Sequence, residues 1–373
     1  MDSVEQRRRD RMTKRQFKMA SLAGAMALVM ATGVNAEVRW SGVINAGVAV
    51  SDVSGTTTDD DGNTVPVKYI DRIYDKANFG DTSFGLNVSA DIGHKWSVAA
   101  QLFAHGGHET IDFDWGFATY QATDEVAFRA GRIKYPGNLV SEYVDVGYAY
   151  PWIRPPQELY GHLEVGAAMT LEAINGGSIE YVGMGDEWEW SIMGYVGEAD
   201  EETMDHKQMH AARFLLSNDE FKFLLGANRS FMEQPGMALM HEKWMTVLSA
   251  GFQMDWNNIM GYAEYVTSDT EDVDDLSTNA WYVTGGYHFG SVTPHLTYTE
   301  LKQDSGIEQN TWTLGLRWDM APSTAFKVEY QQIDAQAARS DAPAMTRGRA
   351  GLFNGVPDKM PVNMFSLALN FVF

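Results

Sequence analysis

Residues 84–104 read FGLNVSADIGHKWSVAAQLFA. Phe84, Leu86, Val88, Ala90 and Ile92 alternate with Asn87, Ser89 and Asp91, the period-two pattern of a strand with one apolar face. Gly93-His94 makes a tight turn, and Trp96, Val98, Ala100, Leu102 and Ala104 carry the apolar face back in the opposite direction.

The same pattern runs through most of the chain. Upstream, Val38, Trp40, Ile44, Ala46, Val48 and Val50 share one face, with Arg39, Ser41 and Asn45 on the other. Alternation predicts sixteen strands, at 38–50, 79–92, 95–105, 111–121, 125–134, 174–185, 187–198, 208–218, 221–231, 243–255, 258–268, 278–289, 292–302, 310–320, 324–334 and 362–373. Very short turns fall near 93, 122, 185, 219, 256, 290 and 321, and longer polar loops fill the other connections. After Ala36 no apolar run approaches the roughly 18 residues of a membrane helix. Only closure into a barrel would then satisfy the backbone across a bilayer.

An even strand count with short turns on one side and long loops on the other is the layout of an outer-membrane barrel. Aromatic residues cluster at both strand ends. Trp96, Trp188, Phe221, Phe252, Phe289, Trp318, Phe326 and Phe371 lie near the short turns, and Tyr195, Phe231, Trp244, Tyr265, Trp281, Tyr298, Trp312 and Tyr330 near the long loops. Two belts flanking an apolar band suit rings seated at headgroup level, whereas a soluble β-protein would put its aromatics in the core. The last strand aligns Phe365, Leu367, Leu369, Phe371 and Phe373 on one face, and its pairing with the first strand would leave no open edge. The fold class is therefore all-β, a transmembrane antiparallel barrel of about sixteen strands.

The N-terminus reads separately. A basic stretch from Arg7 to Lys18, the small and apolar run Met19 to Val34 and the exit Val34-Asn35-Ala36 predict a secretory signal peptide over 1–36, with the barrel over 37–373. The whole chain carries a net charge of −22, and removal of this leader would leave −26, which disfavours nucleic acid as a partner. The chain has no cysteine, so thiol catalysis and disulfides are excluded.

One stretch breaks the rhythm. Between the fifth and sixth strands, the region 135–173 carries Pro136, Pro151, Pro155 and Pro156 among many aromatics. Proline cannot donate to a sheet ladder, and so long an insertion is functional or disordered. Its aromatic content argues for an ordered loop placed inside a channel.

At this point the sequence resembles the Gram-negative general porins, over essentially all of 37–373. The likeness rests on the leader, the sixteen strands, the long loop after the fifth, the segment Gly131-Arg132-Ile133-Lys134-Tyr135-Pro136 and the ending Phe371-Val372-Phe373. The resemblance implies an outer-membrane, water-filled channel for passive diffusion of small hydrophilic solutes and ions. It also implies a third loop folded inward as the constriction, a homotrimer, contact with outer-membrane lipid and lipopolysaccharide, and a role for Phe373 as the signal read by the barrel-assembly machinery. Phe84 stands where many porins have Arg, the acidic loop motif of the family is absent, and the second loop, His105 to Glu109, is very short.

Sixteen strands enclose an aqueous lumen, so charges are expected to face inward. A cation on the lipid face costs roughly 2–4 kcal/mol at mid-membrane. Alternation turns Arg39, Arg129, Arg213, Lys222, Arg317 and Lys327 inward, and Arg132, of opposite parity to Arg129, needs a bulge or a place at the rim. The loop supplies Glu142, Asp145 and Glu158, with Arg154 among them. The expected constriction sets those acids across from some of Arg39, Arg129 and Arg132, because a transverse field sets ion preference. Most of Tyr143, Tyr148, Tyr150 and Trp152 are expected to pack the loop onto the wall.

Other chemistries are less well supported. No histidine has a local signature naming a serine partner, as a barrel enzyme would need. A substrate-specific channel stays open as an alternative, with Tyr148, Tyr150 and Trp152 as a possible sugar slide; a phosphate channel would want a basic lumen. Asp59 to Asn63 lacks the glycine position and distal glutamate of a calcium loop, and His105 to Glu109 does not match the helical zinc signature, so neither a metal nor a cofactor is expected.

Overall fold

The structure, a computed structural model, describes residues 37–59, 61–106, 111–161, 171, 173–200, 205–233 and 240–373. The expected signal peptide, most of the second loop and the loop's return at 162–170 lie outside the described residues.

The barrel strands run β1 Val38–Ser51, β2 Ser83–Gly93, β3 Trp96–His105, β4 Ile111–Gln121, β5 Val126–Lys134, β6 Ala173–Met184, β7 Glu189–Asp200 and β8 Asp205–Ser217. They continue as β9 Phe221–Glu233, β10 Lys243–Trp256, β11 Ile259–Thr270, β12 Thr278–Tyr287, β13 Val292–Gln303, β14 Glu308–Ala321, β15 Thr324–Gln336 and β16 Val362–Val372. All pairs are antiparallel neighbours in sequence, and β16 returns to β1 to close the barrel. The main shift from the sequence boundaries is at β2. Residues 79–82 form a turn, where the Thr82 amide donates to the Phe79 carbonyl at 2.9 Å, so the strand starts at Ser83.

The closing seam is tight. Gly42 and Phe373 exchange backbone hydrogen bonds of 2.9 and 3.1 Å, and a Cβ on Gly42 would sit 2.4 Å from the Phe373 ring. The outward face reads as expected across β10 to β16, where Tyr265, Trp312, Tyr330 and Phe365 are exposed on the outer wall. Tyr195 is a correction. Along β7 it shares the lumen side with buried Met193 while Ile192 and Val196 face out, and its ring packs edge-on against Tyr135 at 6.2 Å.

The lumen is not an empty tube. The first loop contributes Val67, Tyr69, Ile70 and Ile73, and the connection between β15 and β16 contributes Leu352 and Phe353. These pack with Leu139, Tyr150, Trp152 and Leu159 of the inward loop against the inner wall. Tyr69 and Phe353 meet at 5.1 Å between ring centroids. The second half of the barrel thus has a dry interior, and the open space lies along the first half.

Candidate functional site

The loop leaves β5 and is gripped along its length by inward residues of the wall. At its start the Ser249 hydroxyl donates to the Gly137 carbonyl at 2.7 Å. The Leu139 amide donates to Glu264 at 2.7 Å, and Tyr160 and Tyr282 also donate to that carboxylate. Gly251 leaves the space, since a Cβ there would meet Leu139 at 2.6 Å. The loop then crosses to the seam, where Asn45 donates to the Asp145 carbonyl at 2.9 Å.

On its way back the loop lies over β12 to β16. Arg317 donates to the carbonyls of Tyr148 and Tyr150 at 2.7 and 3.0 Å. Lys327, fully buried, donates to the carbonyls of Gly147, Tyr150 and Trp152. The Trp152 indole donates to Thr297 at 2.9 Å, with its ring set edge-on to Tyr262 and Tyr282. The Ile153 amide donates to Glu329 at 2.8 Å. These contacts answer where the backbone groups of an irregular segment find partners away from water.

The expected charges occupy distinct positions. Arg154 is buried and ion-paired with Asp81, and it donates to Gln331 at 3.1 Å and Ser366 at 2.6 Å. Burial pushes the Asp81 carboxyl up, but the Arg154 and Arg72 guanidinium groups outweigh that and hold it below the usual carboxylate range. Glu158 is buried and accepts from Gln309 at 2.7 Å and Thr311 at 2.5 Å. Glu142 pairs with Arg213 at 2.5 Å, Arg213 with Glu180 at 3.0 Å, and Glu180 with Arg129 at 3.0 Å. Asp145 pairs with Lys134, which also reaches Asp114 at 3.1 Å.

Arg39 lies at the short-turn end of β1, against Asp91 at 3.2 Å. Arg132 keeps the outward parity of exposed Phe128, and its Nε donates to the backbone carbonyl of Asp114. Asp114 is the bulged residue where the β3–β4 register shifts between Gln101 and Leu102. Among the described residues, Glu142, Asp145 and Glu158 therefore meet Arg213, Lys134 and polar side chains rather than Arg39, Arg129 or Arg132.

Alternation in the sequence singled out inward bases but not the inward acids Glu180, Glu264 and Glu329. The same parity rule applied to acids marks all three. Lys134 and Asp81 carry no such signal, because they sit at a strand exit and in a loop.

Among the charges paired at the loop's crossing, Glu142 is the most exposed. Its side chain is 42% accessible, against 15% for Asp145, 7% for Arg213 and 8% for Lys134. Across the open space stand Asn87, Ser89, Trp115, Phe117 and Thr119 on the inward faces of β2 to β4, while Gln101 is buried and donates to Asp114 at 2.6 Å. Trp115 and Phe117 stack at 5.5 Å, and the Arg129 guanidinium lies 5.8 Å from the Phe117 ring centroid.

A closed sixteen-stranded barrel with a loop held inside its lumen is the architecture of a transmembrane channel. The chain belongs to the Gram-negative porin family, whose model matches residues 21–348, and it is an outer-membrane channel for passive diffusion. Solved structures agree on the fold. The anion-selective porin from Comamonas acidovorans is 13% identical, with a TM-score of 0.61 over 91% of this chain and 100% of that one. The outer membrane channel DcaP of Acinetobacter baumannii is 12% identical, with a TM-score of 0.58 over 92% and 99%. The in-vitro folded trimer form of OmpT of Vibrio cholerae is 12% identical, with a TM-score of 0.53 over 91% and 99%. Comparison with curated protein sequences gives no match.

Proposed function

We propose that this porin is a general diffusion channel with a modest preference for cations, without a catalytic role. Its narrow passage runs between the Glu142–Asp145 edge of the inward loop and the β2–β4 wall. The observation that carries the reading is the unequal exposure of its charges. Lys327, Arg317, Arg154, Arg213 and Lys134 are consumed in holding the loop or pairing acids, while Glu142 stays open to the lumen. A permeating ion then meets an acidic edge against a largely uncharged polar wall, and lumen charges act on ions at close range. The ion preference named for the Comamonas porin is that protein's own.

The sugar-slide alternative loses its support in the loop, because Tyr150 and Trp152 are buried in the wall contact. Liposome swelling with uncharged sugars of increasing size tests the general-pore reading. The expected result is a smooth decline of rate with solute size. One sugar passing much faster than a smaller one would mean a substrate-specific channel.

The assembly we favour is a homotrimer. Outward Trp and Tyr residues belt the outer ends of β10 to β15, from Trp244 to Tyr330, whereas the described outer ends of β1 to β4 present the purely apolar Val50, Phe84, Leu102 and Ile111. A wall without the amphipathic belt suits contact between subunits better than contact with headgroups. Lipid and lipopolysaccharide would face the belted side. Phe373, with an exposed ring beside the seam, is the residue we assign to recognition by the assembly machinery, and 1–36 we assign to a cleaved leader.

A further inference from the structure

Two chains of charge tie the inward loop to the wall, and an aromatic pair stands between them. On one side Glu142 leads through Arg213 and Glu180 to Arg129, whose guanidinium lies 5.8 Å from the Phe117 ring centroid. On the other side Asp145 leads through Lys134 to Asp114, the residue before Trp115 in β4. Both chains begin on the loop edge and end beside Trp115 and Phe117.

This pair is not consumed in packing as Trp152 is. The Trp152 ring is buried, and its indole donates to Thr297 at 2.9 Å. Trp115 and Phe117 are only half-buried on the lumen face of β4, their rings stacked at 5.5 Å and 28°. Phe117 rests on the buried cluster of Ile133, Ile174 and Tyr195, which steadies its ring. On the short-turn side a recess of about 220 Å³ opens beside Phe117, lined also by Ser89, Ser97, Ala99 and Thr119. Apolar ring surface left facing a water-filled passage is stabilised when a flat solute covers it.

The charge around the pair selects among flat solutes. Among the described residues the two chains hold the carboxylates of Glu142, Glu180, Asp145 and Asp114 against the bases Arg213, Arg129 and Lys134, while Arg132 has outward parity. Each of those three bases is paired, and Glu142 is the most exposed carboxylate. Ring faces attract cations as well, and the Arg129 guanidinium already lies against Phe117 in this way.

We propose that Trp115 and Phe117 form a binding shelf for aromatic cations in transit, with the solute's flat ring against the pair and its ammonium toward Glu142. Brief retention there gives one solute class an advantage within passive diffusion. The inference rests on the channel reading, with the passage along β2 to β4, and adds a solute class to it.

The test is potassium chloride conductance of the full barrel in a planar bilayer, titrated with three solutes of similar size. Phenethylamine carries a flat ring and an ammonium, cyclohexylethylamine the ammonium on a saturated ring, and phenylacetate the flat ring with a carboxylate. In wild type, phenethylamine should reduce the current at a concentration roughly tenfold below that of either other solute, a comparison that needs no variant. The double variant Trp115→Leu/Phe117→Leu should remove that advantage and Glu142→Gln should reduce it several-fold. Trp312→Leu, on the lipid face, should keep it. Equal action of phenethylamine and cyclohexylethylamine would overturn the shelf, and equal action of phenethylamine and phenylacetate would overturn its choice of cations. An advantage kept in a conducting double variant would overturn the assignment to these two rings. Each of these results leaves the channel reading standing, whereas a wild type that passes no current would overturn that reading and this inference with it.

Discussion

Lys327 has three donors, and all three go to carbonyl oxygens of the inward loop. Parity alone turned this residue toward the lumen, and so it read as a pore charge. Parity gives a direction but not what lies at the end of the side chain, and here a loop fills that space. In the loop itself Glu158 and Arg154 are likewise spent, on Thr311 and Gln309 and on Asp81. Hydrogen bonds to a charged group contribute roughly 1.5–3 kcal/mol each, and unpaired buried carbonyls add a desolvation cost. Lys327→Met should therefore destabilise the folded barrel by about 3 kcal/mol or more and loosen the loop. Denaturant unfolding in detergent reads the first effect, and protease cleavage within 135–161 reads the second. A variant as stable and protease-resistant as wild type would mean that the loop is held elsewhere.

At the scale of elements, the strands were readable because their period-two faces meet lipid on one side and water or loop on the other. Prolines at 136, 151, 155 and 156 marked the inward loop for the same reason, since no ladder can run through them. Tyr195 shows where this logic stops: it lies at belt height but on the inner face, and its partner Tyr135 belongs to the loop. The part played by the first and last long loops was also hidden. Tyr69 and Phe353 are single apolar residues in polar stretches, and only the fold brings them together. The β1–β16 seam carries an element-scale prediction. Gly42→Val would drive a side chain into the Phe373 ring and the Gly85 carbonyl, 2.4 and 2.9 Å from the Cβ position. The fraction of heat-modifiable, folded barrel on unheated gels should fall several-fold for Gly42→Val, whereas Ala46→Val, on the open outer face, should fold as wild type does. Equal yields would show that the seam tolerates the bulk.

The whole molecule is a barrel with a dry half and a wet half. Three inward-folded segments fill the side of β9 to β16, and the passage follows β1 to β8. The outer surface divides as well, into a belted lipid side and an unbelted side. Light scattering in detergent should give three times the mass of one chain, and Ala100→Trp, on the unbelted wall, should lower that mass while sparing conductance. A monomer in wild type would remove the homotrimer. The central claim is that the loop's exposed acid, with the bases that hold the loop sequestered behind it, sets what the channel prefers. The most direct measurement is the reversal potential across a planar bilayer under a potassium chloride gradient, for wild type, Glu142→Gln and Glu158→Gln. The account predicts cation preference in wild type, a clear loss of it in Glu142→Gln, and little change in Glu158→Gln, whose carboxylate is buried. Anion preference in wild type, or an unmoved reversal potential in Glu142→Gln, would contradict it.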